Sequence, residues 1–129
     1  MVLAGKRALV TGGERRICRG VALALAEAGC EVGINDLEEA EDARETLGLI
    51  AGLGRQSAFF GAAISSAPQV EEMIGAVVER FGGIDILVNN PFYSRHQPFL
   101  DIEEGQFDRT LAGCLNGSCC AVRGRPAAW

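Results

Sequence analysis

"RALVTGGERRICRGVALALAEAG", residues 7–29, is the stretch that decides the fold. A short apolar run, RALV, runs into a turn that carries Gly12 and Gly13. A segment follows in which Ile17, Val21, Leu25 and Ala28 recur at helical spacing, and Gly29 supplies the stop. Strand, glycine turn and helix together open a βαβ unit. Such a turn gathers backbone N–H groups and the positive end of a helix dipole at one point, an arrangement suited to an anion. Glu14, Arg15, Arg16 and Cys18 make this turn bulkier than an all-glycine cradle.

The same alternation continues outward. EVGIND (31–36) predicts a second strand, and the segment 37–54 predicts a helix with Ala40, Ala43, Leu47 and Ile50 on one face, closed by Gly52 and Gly54. SAFFGAAI (57–64) predicts a third strand. In the segment 65–83, Val70, Met73, Ile74, Val77, Val78 and Phe81 follow helical spacing, with Ser66 as N-cap and Gly82 as C-cap. IDILVNN (84–90) predicts a fourth strand, and residues 102–119 begin a last helix. From residue 117 the apolar periodicity stops, and Gly124 and Pro126 are expected to break the helix. The expectation is an α/β fold: a Rossmann-like, doubly wound parallel sheet truncated to about four strands, with residues 1–129 forming a single, partial dinucleotide-binding domain.

Composition narrows the function. A chain of 129 residues has room for one modest core, and 48% hydrophobic residues exclude global disorder. A net charge of -5 argues against nucleic acid and anionic membranes as partners. No apolar run approaches the roughly 20 residues of a membrane span, and the first ten residues lack the pattern of a signal peptide. The five cysteines are irregularly spaced, without a CxxC, and the single histidine, His96, is remote from them. Reduced thiols in a cytoplasmic protein are expected rather than a zinc site.

In a parallel sheet of this kind ligands sit beyond the carboxyl ends of the strands. Those ends are residues 11–13, 35–36, 62–64 and 89–90. Asp36 lies 24 positions after Gly12, near the spacing expected of an acid that accepts ribose hydroxyls. The plainer alternative is an acidic residue favourable to the dipole of the next helix. For Arg15, Arg16 and Arg19 the plainer alternative is a solvated basic helix start.

The ordered set of motifs resembles the short-chain dehydrogenase/reductase family of NAD(P)-dependent oxidoreductases. Its first turn, T-G-x-x-x-G-x-G, is matched by Thr11 and Gly12, with Ile17 in the apolar place between the last two glycines. ALALAEAG, FGGIDILVNN and PFLDIEEGQFDRTL are similar to later family segments, and the resemblance covers residues 5–122. It implies a nucleotide cofactor held by Gly12, Arg15, Ile17, Asp36, Asn89 and Asn90. Arg15 stands where the family often carries a base that favours a 2′-phosphate. Asp36 repels that phosphate, so NAD is favoured over NADP.

Departures fall on ligand-facing positions. Arg16 and Cys18 replace family glycines; a Cβ at Arg16 obstructs close approach to a pyrophosphate, its guanidinium partly compensates, and Cys18 is small enough to be tolerated. Ala63 replaces an aspartate, Pro91 and Phe92 end the N-N-A-G motif, and Cys114, close to Asn116, aligns with a tetrad asparagine. The family's serine and Tyr-x-x-x-Lys have no counterpart: Gln97 stands four residues after the only tyrosine, Tyr93, and the only lysine is Lys6. The chain is therefore expected to be the nucleotide-binding half of such an oxidoreductase, without turnover of its own. The alternatives are a non-catalytic nucleotide-binding or interaction module and a non-functional remnant frameshifted near Ser118. Tyr93 and His96 are expected to be loop anchors. An open fourth-strand edge invites a homo-oligomer or a partner chain and implies marginal stability.

Overall fold

The computed structural model describes residues 1–12, 16–90 and 96–123. Four strands, β1 (Arg7–Thr11), β2 (Glu31–Asp36), β3 (Ser57–Gly61) and β4 (Ile86–Val88), form one parallel sheet in the order β3-β2-β1-β4. The helices between them are α1 (Arg16–Glu27), α2 (Glu41–Gly52) and α3 (Ala67–Phe81). After β4 come a 3₁₀ turn at Phe99–Asp101, α4 (Glu104–Leu111), a π-helical turn at Ala112–Asn116, and α5 (Gly117–Arg123).

β1 is buried on both faces because helices cover both. Ala8 and Val10 point into a core with Val32, Ile34 and Ile50, on the side of α1 and α2. Leu9 points the other way, into a core with Val70, Ile74, Val77 and Ala121, on the side of α3 and α5. Alternation of side chains along a strand thus divides one apolar run between two cores. The expected α/β class, the four parallel strands and the winding on both faces are present.

α3 follows its expectation closely. Ser66 caps it by accepting the Gln69 N–H, Gly82 closes it in the left-handed region, and Val70, Met73, Ile74, Val77 and Phe81 are buried. Three other expectations need correction. The inward face of α1 is Cys18, Ala22 and Ala26, one position round from the face of Ile17, Val21 and Leu25; Ile17 is 74% exposed. Close approach of the helix to Ala8 and Val10 requires small side chains there, and the larger ones flank the contact. In α2 the helix starts at Glu41, so Ala40 is an exposed N-cap, and Thr46 joins Ala43 and Ile50 on the buried face. Glu38 and Glu39 are exposed in the connection before it.

The third correction concerns residues 117–123, which remain helical. Gly113, Gly117 and Ala121 form the inward stripe, at a spacing of four residues, and Ala121 enters the core beside Val70. Small residues make this stripe invisible to a search for large apolar ones. At Gly117 a Cβ would lie 2.6 Å from the Ile64 carbonyl oxygen, so the helix packs through its backbone. Gly124 and Pro126 lie outside the described residues.

Candidate functional site

The carboxyl ends of β1, β2 and β4 share one edge of the sheet because the strands are parallel and adjacent. The register sets Thr11 beside Asn35, and Val10 beside Val88. Gly12, Asp36, Asn89 and Asn90 follow directly. Gly12 adopts φ +67°, a left-handed conformation that a side chain would strain, and here the chain leaves β1 for α1. No acidic residue lies in the first turn of α1, so no carboxylate of the helix offsets the positive end of its dipole.

Asp36 is half-buried at the last position of β2, and its Oδ1 accepts the Leu37 N–H at 2.7 Å. Ile17 stands exposed on the first turn of α1, Asn89 is exposed, and Asn90 is half-buried. The fold therefore brings Gly12, Ile17, Asp36, Asn89 and Asn90 to one sheet edge. Arg15 lies outside the described residues, as does Tyr93, and Arg16 is described only as backbone of α1. His96 is exposed, Asn116 is exposed, and Cys114 is half-buried on the π-helical turn.

For Arg19 the alternative of a solvated basic helix start does not hold. Its Nε donates to Thr46 Oγ1 at 2.9 Å, and its Nη2 donates to the Asp42 carbonyl and to Glu45. The side chain fastens α1 to α2.

Two residues given no site role on sequence, Asn35 and Thr11, hold the edge together. Asn35 is buried inside β2, where its amide must find partners. Its Nδ2 donates to the carbonyls of Phe60 at 2.9 Å and Ala62 at 3.3 Å, tying the end of β3 to β2. Thr11 Oγ1 donates to the Val88 carbonyl at 3.3 Å and accepts the Asn90 N–H at 3.1 Å, tying β4 to β1. An amide or hydroxyl at the end of an otherwise apolar strand is the available signal for both. Ala63, at the place of the family's aspartate, donates its N–H to Gln69 Oε1 at 2.8 Å.

Asp85 and Cys30, at the opposite edge, have shifted titrations. The Arg7 guanidinium, hydrogen-bonded to Asp85 at 2.9 Å, holds that carboxyl below the ordinary aspartate range. Burial pushes the Cys30 thiol up.

Comparison with known proteins gives this geometry a family. The model of the short chain dehydrogenase family matches residues 6–124. The chain belongs to the short-chain dehydrogenase family. Among curated relatives, a short-chain dehydrogenase/reductase of Armillaria gallica is 38% identical over 115 residues, which are 88% of this chain and 44% of that protein. The short-chain dehydrogenase/reductase homolog YusS of Bacillus subtilis is 37% identical over 108 residues, covering 84% of this chain and 99% of YusS. A short chain dehydrogenase from Burkholderia cenocepacia J2315, solved in complex with NADP, superposes with a TM-score of 0.92 at 35% identity, over 96% of this chain and 51% of its own. An NAD+-bound xylitol dehydrogenase superposes with a TM-score of 0.90 at 27% identity, over 96% of this chain and 48% of its own. This short-chain dehydrogenase chain thus spans about half the length of most of these proteins and nearly all of YusS. It comprises the family's nucleotide-binding region. No helix among the described residues is long and apolar enough to cross a membrane.

Proposed function

We propose that residues 1–129 act as one dinucleotide-binding unit of the short-chain dehydrogenase type and bind NAD(H) in preference to NADP(H). The observation that carries this reading is the convergence of the Gly12 turn, the N-terminus of α1 and the Asp36 carboxylate at one sheet edge. These residues fit a nicotinamide dinucleotide. Gly12 and the first turn of α1 would hold the pyrophosphate, with Arg15 as its counter-charge and Ile17 beside it. Asp36 would accept the ribose hydroxyls and repel a 2′-phosphate, while Asn89 and Asn90 flank the cofactor from β4. The bound cofactor supplies hydride chemistry.

Turnover also needs a group that moves a proton at the substrate oxygen. A free phenol, with a pKa of about 10, needs a nearby cation to do this at neutral pH. Gln97 follows Tyr93 at the fourth position, and Lys6 precedes β1 on the far edge of the sheet. We therefore infer binding without turnover by this chain. Titration of NADH fluorescence should show saturable binding, tighter than for NADPH, and a panel of secondary alcohols should give no hydride transfer. Absence of saturable binding at millimolar cofactor would overturn the nucleotide reading. Turnover that disappears in Tyr93→Phe would overturn the inference that the chemistry is missing.

A second reading is an interaction module, and one observation favours it. Among the described residues β4 has a single neighbouring strand, β1, and Phe107, Leu111, Leu115 and Val122 are exposed along α4, the π-helical turn and α5. A second copy or a partner chain would cover this surface. Sedimentation that remains monomeric at every concentration, with no partner strand protecting the β4 edge from hydrogen exchange, counts against it. The cytoplasm suits either reading, because buried thiols such as Cys18 and Cys30 persist there in reduced form.

A further inference from the structure

Cys18 stands where the family's third glycine allows close packing of helix on strand, and packing alone would be satisfied by alanine. Its thiol does more. Cys18 is fully buried in the first turn of α1, and its Sγ–H points to the Thr11 carbonyl oxygen at 3.7 Å. The same sulfur accepts a close hydrogen bond from the Asn90 Nδ2 amide, across 72 positions of sequence. Asn90 is simultaneously held through its own N–H by Thr11 Oγ1, which bonds the Val88 carbonyl. The end of β1, the first turn of α1 and the end of β4 are joined by this one cluster. They are also the three elements on which the nucleotide site was placed.

We infer that Cys18 is a positioning residue of that site: its thiol, acting as donor and acceptor at once, fixes the Asn90 side chain and the start of α1 relative to the glycine turn. The inference rests on the nucleotide-binding reading above. A glycine at this position offers neither bond, so the chain's departure from the family pattern replaces bare backbone approach with a side-chain clasp. A hydroxyl retains donor and acceptor, whereas a methyl retains only the volume. This separates the clasp from mere filling of space.

The experiment is a series of Cys18→Ser, Cys18→Ala and Asn90→Ala, with the double variant Cys18→Ala/Asn90→Ala, in the 129-residue chain. NADH affinity is read by fluorescence titration, and the Asn90 side-chain amide is followed by NMR without nucleotide. Cys18→Ala should weaken NADH binding about 3- to 10-fold and move the Asn90 amide resonance, and Cys18→Ser should restore both. The double variant should bind no more weakly than the weaker single one, since both remove the same bond. Wild-type binding that is unchanged in Cys18→Ala would overturn the inference and leave the nucleotide reading intact. So would full additivity in the double variant. If the wild-type chain binds no NADH while the Asn90 amide still responds to Cys18→Ala, the nucleotide reading fails and the role of Cys18 at that site fails with it. Because serine is nearly isosteric, a folded Cys18→Ser that binds like Cys18→Ala would also overturn it.

Discussion

At the scale of single residues, the proposed preference for NAD over NADP rests on Asp36. Its carboxylate closes β2 at the sheet edge, held by the Leu37 N–H. Asp36→Asn removes the charge while keeping the shape. NADH should then bind about tenfold or more weakly, as expected for a lost hydrogen bond to a charged group, while NADPH should bind no worse. Fluorescence titration with both cofactors checks this. Arg19 offers the contrasting case of a charge that turned out to be structural. Arg19→Ala strips Thr46 Oγ1 and the Asp42 carbonyl of a donor, and urea unfolding should register a loss of about 1 kcal/mol without change in NADH affinity.

At the scale of elements, the revealing helix is α5. Its docking depends on absence of side chain at Gly117, against the Ile64 carbonyl. Gly117→Val must displace the helix or the segment around Ile64 that follows β3, at about 1–3 kcal/mol by urea denaturation. An unchanged midpoint would mean that α5 does not dock as described. The π-helical turn before it carries Gly113, which faces inward together with Gly117. The pattern of α3 was legible because its buried residues are large and its caps are chemically distinctive. α1 was legible as a helix but not in its orientation, since the decisive residues Cys18, Ala22 and Ala26 carry a weaker apolar signal than their neighbours.

For the whole molecule, the sheet's two ends behave differently. At the amino end, hydrogen bonds from Arg7 hold the Asp85 carboxyl low against the opposing effect of partial burial. A carboxylate with a depressed folded pKa adds stability that is fully present above its unfolded pKa, about 4, and is lost as pH falls through the lower folded value. Thermal unfolding of wild type should therefore show a stability loss below about pH 4, and Asp85→Asn should flatten that part of the profile. At the carboxyl end, the strand tips carry polar side chains and a glycine turn. Between them lies Leu9, in the central strand and fully buried. Leu9→Ala should cost about 2–5 kcal/mol, a large share of the stability of a domain this small.

The sequence by itself determined the alternation of strands and helices, the glycine turn after β1, the caps of α3 and the placing of Asp36 and Asn90 at strand ends. Each of these depends on local chemistry: hydropathy of period two or 3.6, a turn residue, a capping hydroxyl. Only the tertiary structure decided which face of α1 is inward, that α5 docks through glycine and alanine, and that Arg19 serves α2. It also decided how the site's edge is joined. Thr11, Cys18 and Asn90 meet because parallel register sets β4 beside β1, and nothing in the spacing of residues 11, 18 and 90 specifies that register. Long-range hydrogen bonds leave no periodic trace in a sequence, and the i, i+4 spacing of small residues is masked by the stronger apolar signal of larger neighbours, so both become visible only when the sheet is assembled.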